Sequence, residues 1–282
     1  MRLLRGRKKN DQAGGLRELV AGDAERPAPP MLLVLGAKGG VGATTIAWRL
    51  TQTVQSGDRS PLAVDSHLWQ PDLARVAGVS LAGGESLVDV LGGHAEPADA
   101  IRVGDGPPIL PGTWEPPTGH APREHGESFR NQVVQPLAGR FDLLVVDGGP
   151  SRSPWAESLC GVADLVLLVA TPDELATLGA YSLIKSLAGA GAAHDDAVKV
   201  RLVINHSRGE THGRATHARL RDACREHLDV SVPLAGWLPT DPRMANRSEP
   251  PVPLMRPIAR RVREALANRQ AVNMPEETAA AA

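Results

Sequence analysis

Apolar runs alternate along the chain with longer amphipathic stretches, and this alternation predicts the fold. Runs typical of strands that are buried on both faces of a sheet lie at residues 31–35, 60–65, 141–147, 163–172 and 198–205. Helices are predicted between and after them, at residues 44–50, 173–187, 210–227 and 257–268. Strands that alternate with helices predict an α/β fold, a doubly wound and mostly parallel sheet with helices on both faces. In such a fold, ligands bind at the carboxyl ends of the strands.

Shorter signals complete the predicted organisation of the chain. Short helices are predicted at residues 68–73 and 86–91, and a short strand at 108–111, followed by a Pro-, Gly- and His-rich loop at 112–126. The last predicted helix carries Ile258, Val262 and Leu266 on one side, which favours packing on the core. We therefore expect a flexible tail at 1–30, one domain at 31–268 and a disordered, Ala-rich tail at 269–282.

A glycine loop, residues 36–42, separates the first strand from the first helix. A strand, a glycine-rich turn and a helix N-terminus together form a phosphate site, because backbone N–H groups and the helix dipole both face the anion. Gly39, Gly40 and Gly42 leave room for phosphate groups, and Lys38 precedes them. A tight strand–helix turn without a ligand is the alternative interpretation.

Polar residues end three of the predicted strands. Asp147 stands where a carboxylate can hold the water shell of Mg²⁺, Asp65 ends another strand, and Asn205 carries an amide with both a donor and an acceptor. The alternatives are a solvent-exposed acid at a strand end and an Asn that forms a turn.

Composition narrows the possible functions. The hydrophobic fraction of 42% supports a substantial core, and the formal net charge of −1 gives no reason to expect nucleic-acid binding. Two cysteines fit a reducing compartment, and no apolar run has membrane-spanning length. The histidines show no metal-site spacing, so the only metal expected is Mg²⁺ carried by a nucleotide. We expect a cytoplasmic protein, with peripheral association at the inner membrane or cell pole left open.

The N-terminal tail contains a short amphipathic segment. Asp11 can cap a helix that places Leu16, Leu19 and Val20 on one side. A Gly-Gly pair at 14–15 weakens this helix, and a Pro-rich linker at 27–30 separates it from the domain. A segment that is marginal alone suits folding on a partner. The basic run at 2–9 is expected to be solvated, with attraction to anionic lipid as the alternative.

The string K-G-G-V-G-A-T-T at 38–45 resembles the deviant Walker A loop of the ParA/MinD ATPases. The resemblance implies that Lys38 reaches the ATP of a partner subunit in a nucleotide-sandwich homodimer, and that Lys38, Asp65 and Asp147 act in hydrolysis. It assigns Mg²⁺ to Thr44, Asp65 and Asp147. It assigns ATP to the remaining loop residues and to the residue that reads adenine: Gly39, Gly40, Val41, Gly42, Ala43, Thr44, Thr45 and Asn205.

The tail segment matches the motif D-Q-A-x-x-L-R of the FlhG (YlxH) family, MinD-like ATPases that control flagellar number and position. The matching residues are Asp11, Gln12, Ala13, Leu16 and Arg17. The resemblance implies that these residues bind and stimulate an FlhF-like GTPase, and that flagellar basal-body components are further partners. The last helix lacks the bulky apolar residues of the family's membrane-targeting helix, so weak or no membrane binding is expected.

Two departures from the family pattern concern turnover. Ala43 occupies the position of the Walker lysine, and His67 that of the acid that positions the attacking water. Hydrolysis is therefore expected to be weak or lost, while binding and dimerisation persist. The alternatives are a positioning ATPase of the pilus (CpaE/TadZ) type or the chromosome-partition (ParA) type, and a scaffold that does not hydrolyse ATP.

Overall fold

The computed structural model describes residues 27–55, 60–68, 70–113, 126–151, 153–189, 199–244 and 253–273. Its strands are β1 (Met31–Gly36), β2 (Pro61–Asp65), β3 (Ile109–Leu110), β4 (Leu143–Pro150), β5 (Leu165–Ala170), β6 (Val200–Ser207) and β7 (Leu234–Pro239). Its α-helices are α1 (Ala43–Val54), α2 (Leu73–Ala77), α3 (Leu87–Leu91), α4 (Pro97–Ala100), α5 (Gly126–Phe129), α6 (Pro154–Val162), α7 (Glu174–Leu187), α8 (Glu210–Leu228) and α9 (Met255–Asn273).

The strands form one sheet in the order β3-β2-β4-β1-β5-β6-β7, and every neighbouring pair is parallel. The central strand β1 is fully buried along its length, as are β2 and β5. Burial on both faces explains why these strands are apolar without alternation. The predicted doubly wound α/β fold is confirmed.

The first helix packs against segments that lie far from it in the sequence. It packs against β4 and against α9, and its apolar residues Ile46, Leu50 and Val54 belong to the main core. Arg49 is buried on the same helix and donates to the carbonyls of Met244 (3.0 Å) and Arg243 (2.7 Å). A buried guanidinium with these partners ties α1 to the segment that follows β7.

One predicted helix was wrong. The described residues 68 and 70–72 are not helical, and α2 begins only at Leu73. Pro71 disfavours the helical conformation in the residue before it. In addition, the backbone N–H of Leu73 donates to Oδ2 of Asp65 at 2.9 Å, which holds the start of α2 at the strand end.

Other boundaries differ from the predictions in extent. The predicted strand at 141–147 continues as β4 to Pro150, and the predicted helix at 257–268 is α9, which begins at Met255 and runs to Asn273. The short helices α4 and α5 had no predicted counterpart. The predicted core side of the last helix is confirmed, because Ile258, Val262 and Leu266 are all buried.

Candidate functional site

The glycine loop winds from the end of β1 to the start of α1. Gly40 and Gly42 have φ values of 79° and 87°, a left-handed conformation that favours glycine. Gly42 is the N-cap residue of α1, and no side chain caps this helix start. The first N–H groups of a helix have no partner within the helix, so those of α1 can donate to an anion.

Neighbouring elements hold the loop closely. The N–H of Ala37 donates to the carbonyl of Val169 on β5 at 2.8 Å. A Cβ atom added at Gly179 of α7 would lie 2.2 Å from the carbonyl oxygen of Ala37, so only glycine allows α7 to approach this closely. The loop therefore has the tight backbone support that a preformed phosphate site requires.

Asn205, at the end of β6, contacts the loop directly. Its buried side-chain Nδ2 donates to the carbonyl of Val41 at 2.8 Å, and a Cβ atom added at Gly42 would come within 2.7 Å of the same nitrogen. The observed contact of Asn205 therefore supports the loop from β6. Adenine recognition by its amide stays a prediction.

Asp65 ends β2, Asp147 lies next to it within β4, and both are fully buried. Asp65 accepts backbone N–H groups at both oxygens, from His67 at Oδ1 (3.2 Å) and from Leu73 at Oδ2 (2.9 Å). Asp147 accepts the N–H of Gly149 at Oδ1 (3.1 Å), while its Oδ2 has no hydrogen-bond partner. A buried carboxylate oxygen without a partner is costly and suits a group that is completed by a ligand.

The two carboxyl groups are held in a state that resists ionisation. Burial raises the pKa of Asp65 well above its ordinary value, and the neighbouring charge of Asp147 raises it further. Burial likewise raises the pKa of Asp147, although the nearby Thr44 hydroxyl, the Gly149 amide and the charge of His67 oppose this rise. A divalent cation here would remove the penalty, because it favours the charged carboxylates.

His67 lies beside these acids, where the resemblance placed the water-positioning residue. It is half-buried, and its ring faces Gly149 so closely that a Cβ atom there would lie 2.5 Å from Cγ of His67. The imidazole thus occupies the space next to the end of β4.

A pocket of about 230 Å³ opens above the loop. Its lining includes Lys38, Gly39, Gly40, Val41, Gly42, Ala43, Thr44 and Thr45, which the sequence predicted, together with His67. Asp65, Asp147 and Asn205 are buried and do not line the pocket. Asn205 contacts the glycine loop through Val41. The predicted partner-binding residues Asp11, Gln12, Ala13, Leu16 and Arg17 lie outside the described residues.

Sequence reasoning missed part of the pocket wall, namely Gln70, Asp72, Arg75 and Val76. Arg75 Nε lies 2.8 Å from Asp72 Oδ1. Lys38, the other cationic residue of the lining, has its Nζ 3.5 Å from Asp173 Oδ1. The sequence did contain a signal for this part of the wall: an Asp and an Arg stand three residues apart, shortly after a strand that ends in an acid.

These features fit a nucleotide with Mg²⁺. The unpartnered Oδ2 of Asp147 can accept a water of the Mg²⁺ shell, and the uncapped start of α1 can receive phosphate oxygens. Within the described part of the chain, no cluster of three or more His, Cys, Asp or Glu residues could bind a metal on its own. Nor does any described helix have the length and apolarity needed to cross a membrane.

Solved structures define the class of fold. The McdA–ATP complex of Cyanothece superposes with a TM-score of 0.68 at 18% identity, covering 85% of this chain and 97% of that one. MinD of Pyrococcus horikoshii, complexed with Mg-ADP, gives a TM-score of 0.64 at 24% identity over 86% of this chain and 98% of that one. The chain therefore has the fold of the MinD/ParA-type P-loop ATPases.

A curated protein gives a more particular likeness. The antiactivator FleN of Pseudomonas aeruginosa is 26% identical over 215 residues, which are 75% of this chain and 74% of FleN. No family model matches the sequence. The predicted resemblance to the FlhG-type, MinD-like proteins is confirmed by this relative.

Proposed function

We propose that the chain binds ATP with Mg²⁺ at the glycine loop and acts as a MinD-like regulator of flagellar number and placement. The observation that carries the proposal is the pairing of an uncapped helix start, above, with an unpartnered buried oxygen of Asp147, below. The first attracts phosphate and the second attracts a hydrated cation, so the two together suit a magnesium nucleotide.

Each predicted residue has a role that follows from its position. Backbone N–H groups of residues 39–45 would hold the phosphates, while the Thr44 hydroxyl and Asp147 would hold Mg²⁺ and its water. Asp65 already uses both oxygens to hold the chain from His67 to Leu73. Asp65 would therefore contribute to metal binding through its negative charge near the cation and by positioning α2, without contacting the metal.

The same pocket supports binding better than turnover. A lysine at position 43 would add a cation at the phosphates, an interaction worth ~4 kcal/mol at contact distance near a protein surface. Ala43 cannot supply it, and the imidazole of His67 replaces the expected carboxylate. Hydrolysis is therefore weak or absent in this proposal, and ATP acts mainly as a ligand that favours a homodimer, with Lys38 acting across it.

The regulatory part of the proposal rests on the likeness to FleN and on the tail motif. Asp11, Gln12, Ala13, Leu16 and Arg17 would bind an FlhF-like GTPase as a short helix. Arg17 suits a charged contact there, because guanidinium pairs with phosphate or carboxylate through two parallel hydrogen bonds.

Calorimetric titration with a non-hydrolysable ATP analogue, with Mg²⁺ and then with EDTA, tests the nucleotide site. We expect binding that needs Mg²⁺ and is lost in Gly42→Ala, because a Cβ atom there would meet Asn205 and φ is positive. Gly161→Ala is the matched control, since its Cβ atom meets nothing within 4 Å. Absence of heat at millimolar analogue in the unaltered protein would refute the nucleotide proposal.

A peptide of residues 1–25 tests the partner. It should accelerate GTP hydrolysis by the cognate FlhF-like GTPase without the ATPase domain. Gln12→Ala or Arg17→Ala should remove most of the effect, while Arg5→Ala, outside the motif, should keep it. An inert peptide combined with an active full-length chain would assign the activity to the domain, and an inert full-length chain would favour a pilus or chromosomal role.

A further inference from the structure

The described lining residues of the pocket include two cationic side chains, Lys38 and Arg75, and each is paired with an aspartate in the free protein. Lys38 lies within the glycine loop itself. Arg75 comes from α2, on a different part of the wall, and nothing in the loop resemblance assigns it a role. A triphosphate carries several negative charges, so a pocket without a lysine at position 43 needs another cation.

The position of α2 is fixed relative to the glycine loop. Leu73 and Ala74 of α2 are buried with Trp48 of α1 in one apolar cluster. The N–H of Leu73 also donates to Asp65 Oδ2, which anchors the start of α2 at the end of β2. Since α1 begins at the loop, a side chain on α2 has a defined distance to the loop, and Arg75 projects into the shared pocket.

The partner of Arg75 in the free protein is one that a phosphate can replace. Its side chain is 74% exposed, and its Nε lies 2.8 Å from Asp72 Oδ1. An ion pair this exposed contributes little stability and is screened by salt. The guanidinium keeps its charge at all working pH values and can bind two phosphate oxygens at once.

We propose that Arg75 binds the phosphates of the nucleotide and supplies the positive charge that Ala43 lacks, leaving Asp72 when the nucleotide enters. This inference rests on the proposed nucleotide site and adds a specific residue to it. Asp72 then acts as a counter-ion that competes with phosphate for the same guanidinium.

Titration with Mg²⁺ and a non-hydrolysable ATP analogue tests the role of Arg75. Arg75→Gln should weaken binding roughly tenfold and make its dependence on salt shallower, because one cation–phosphate contact is lost. Arg214→Gln is the matched control, since Arg214 is also an exposed arginine paired with an acid one turn away, Glu210. Ala43→Lys added to Arg75→Gln should restore most of the affinity.

Substitution of the counter-ion Asp72 provides an independent test of the same inference. Asp72→Asn should tighten binding when Arg75 is present and have a smaller effect in Arg75→Gln, a coupling that a double-mutant cycle measures. Glu210→Gln controls for the loss of one surface carboxylate. Thermal unfolding of each variant checks that the fold is kept.

The outcomes separate this inference from the nucleotide site itself. If the unaltered protein binds no analogue, the proposed function fails. If it binds the analogue, and Arg75→Gln binds equally well while keeping its fold, Arg75 is a surface residue and the inference is overturned. An effect of Asp72→Asn that is the same with and without Arg75 would also contradict the exchange.

Discussion

Asp65, the last residue of β2, is paired in register with Asp147 of the adjacent parallel strand β4. Both are fully buried, and the charge of Asp147 adds to burial in raising the pKa of Asp65. Two carboxyl groups in this arrangement destabilise the free protein when they ionise. A bound cation would neutralise both carboxylates and remove this cost.

The first prediction concerns stability without nucleotide. Asp147→Asn keeps an acceptor for the N–H of Gly149 but removes a buried charge whose Oδ2 has no partner. We expect stabilisation by about 1–2 kcal/mol at pH 7.5, because the substitution removes the cost of burying the Asp147 charge and its repulsion with Asp65. Urea unfolding in EDTA measures it. Asp142→Asn, an exposed acid just before β4, is the control and should change little.

The pH dependence of that gain follows from the sign of the pKa shift. In the unfolded chain the pKa of an Asp is about 3.9, and in the folded protein burial raises the pKa of Asp147. Below the unfolded value both states are protonated and carry no penalty. The penalty grows as pH rises from the unfolded pKa to the raised folded pKa of the coupled pair and is constant above that, so the gain from Asp147→Asn should increase with pH and vanish toward pH ~4. A gain independent of pH, or a loss of stability, would contradict this account.

The strands and the glycine loop could be predicted because their signals are local. A buried parallel strand is apolar throughout, and the loop shows its glycines and its following helix in consecutive residues. The strand-end acids were found for the same reason, since parallel strands place their carboxyl ends at one edge.

Features that depend on distant contacts could not be predicted. The hydrogen bond from Asn205 to Val41 joins residues 164 positions apart. The hydrogen bond from Leu73 to Asp65 holds the start of α2 at Leu73, whereas the sequence pattern favoured a helix at 68–73. Arg75 belongs to the pocket only because α2 packs on Trp48. Tertiary packing decides each of these cases.

The second prediction concerns turnover. Ala43→Lys with His67→Asp restores the charge at the phosphates and the carboxylate next to Asp147, so phosphate release should rise by tenfold or more. Ala43→Lys alone should mainly tighten binding. Release of phosphate under saturating Mg-ATP measures the effect. A starting protein that already hydrolyses ATP as fast as the double variant would show that these two positions do not limit turnover.

The single variant His67→Asp provides a control. A third carboxylate near Asp65 and Asp147 adds like charge to a buried pair, so without Mg²⁺ this variant should unfold at a lower temperature than the parent. Excess Mg²⁺ with nucleotide should remove that difference.

The third prediction concerns dimerisation through Lys38. In the free protein Lys38 faces Asp173 of its own chain, so it must leave Asp173 to contact the nucleotide of a partner. Lys38→Ala should abolish any ATP-dependent dimer. Asp173→Asn should keep or strengthen the dimer, because Asn still caps α7 while releasing Lys38. Light scattering with and without the ATP analogue measures both variants.

Two features make this comparison specific. Oδ1 of Asp173 accepts the N–H of Ala176 at 3.1 Å, a contact that the Asn oxygen can keep, so a change in the dimer would not reflect a lost cap. Lys185→Ala, an exposed lysine on the same helix, should dimerise normally. An intact ATP-dependent dimer in Lys38→Ala would refute the role across the interface.

The fourth prediction concerns Asn205, which the sequence assigned to adenine and which the structure places against the loop. Asn205→Asp keeps the shape of the side chain but turns a donor into a second acceptor, so a carboxylate oxygen would face the Val41 carbonyl that Nδ2 now contacts at 2.8 Å. Two buried acceptors repel each other, and the loop around Gly42 should loosen. Because the phosphates of every nucleotide use that loop, affinity should fall by the same factor, roughly tenfold, for ATP and GTP analogues. Asn131→Asp, at an exposed position, should alter neither affinity. A loss confined to the ATP analogue would instead mean that the amide reads the base, and the role in holding the loop would then be secondary.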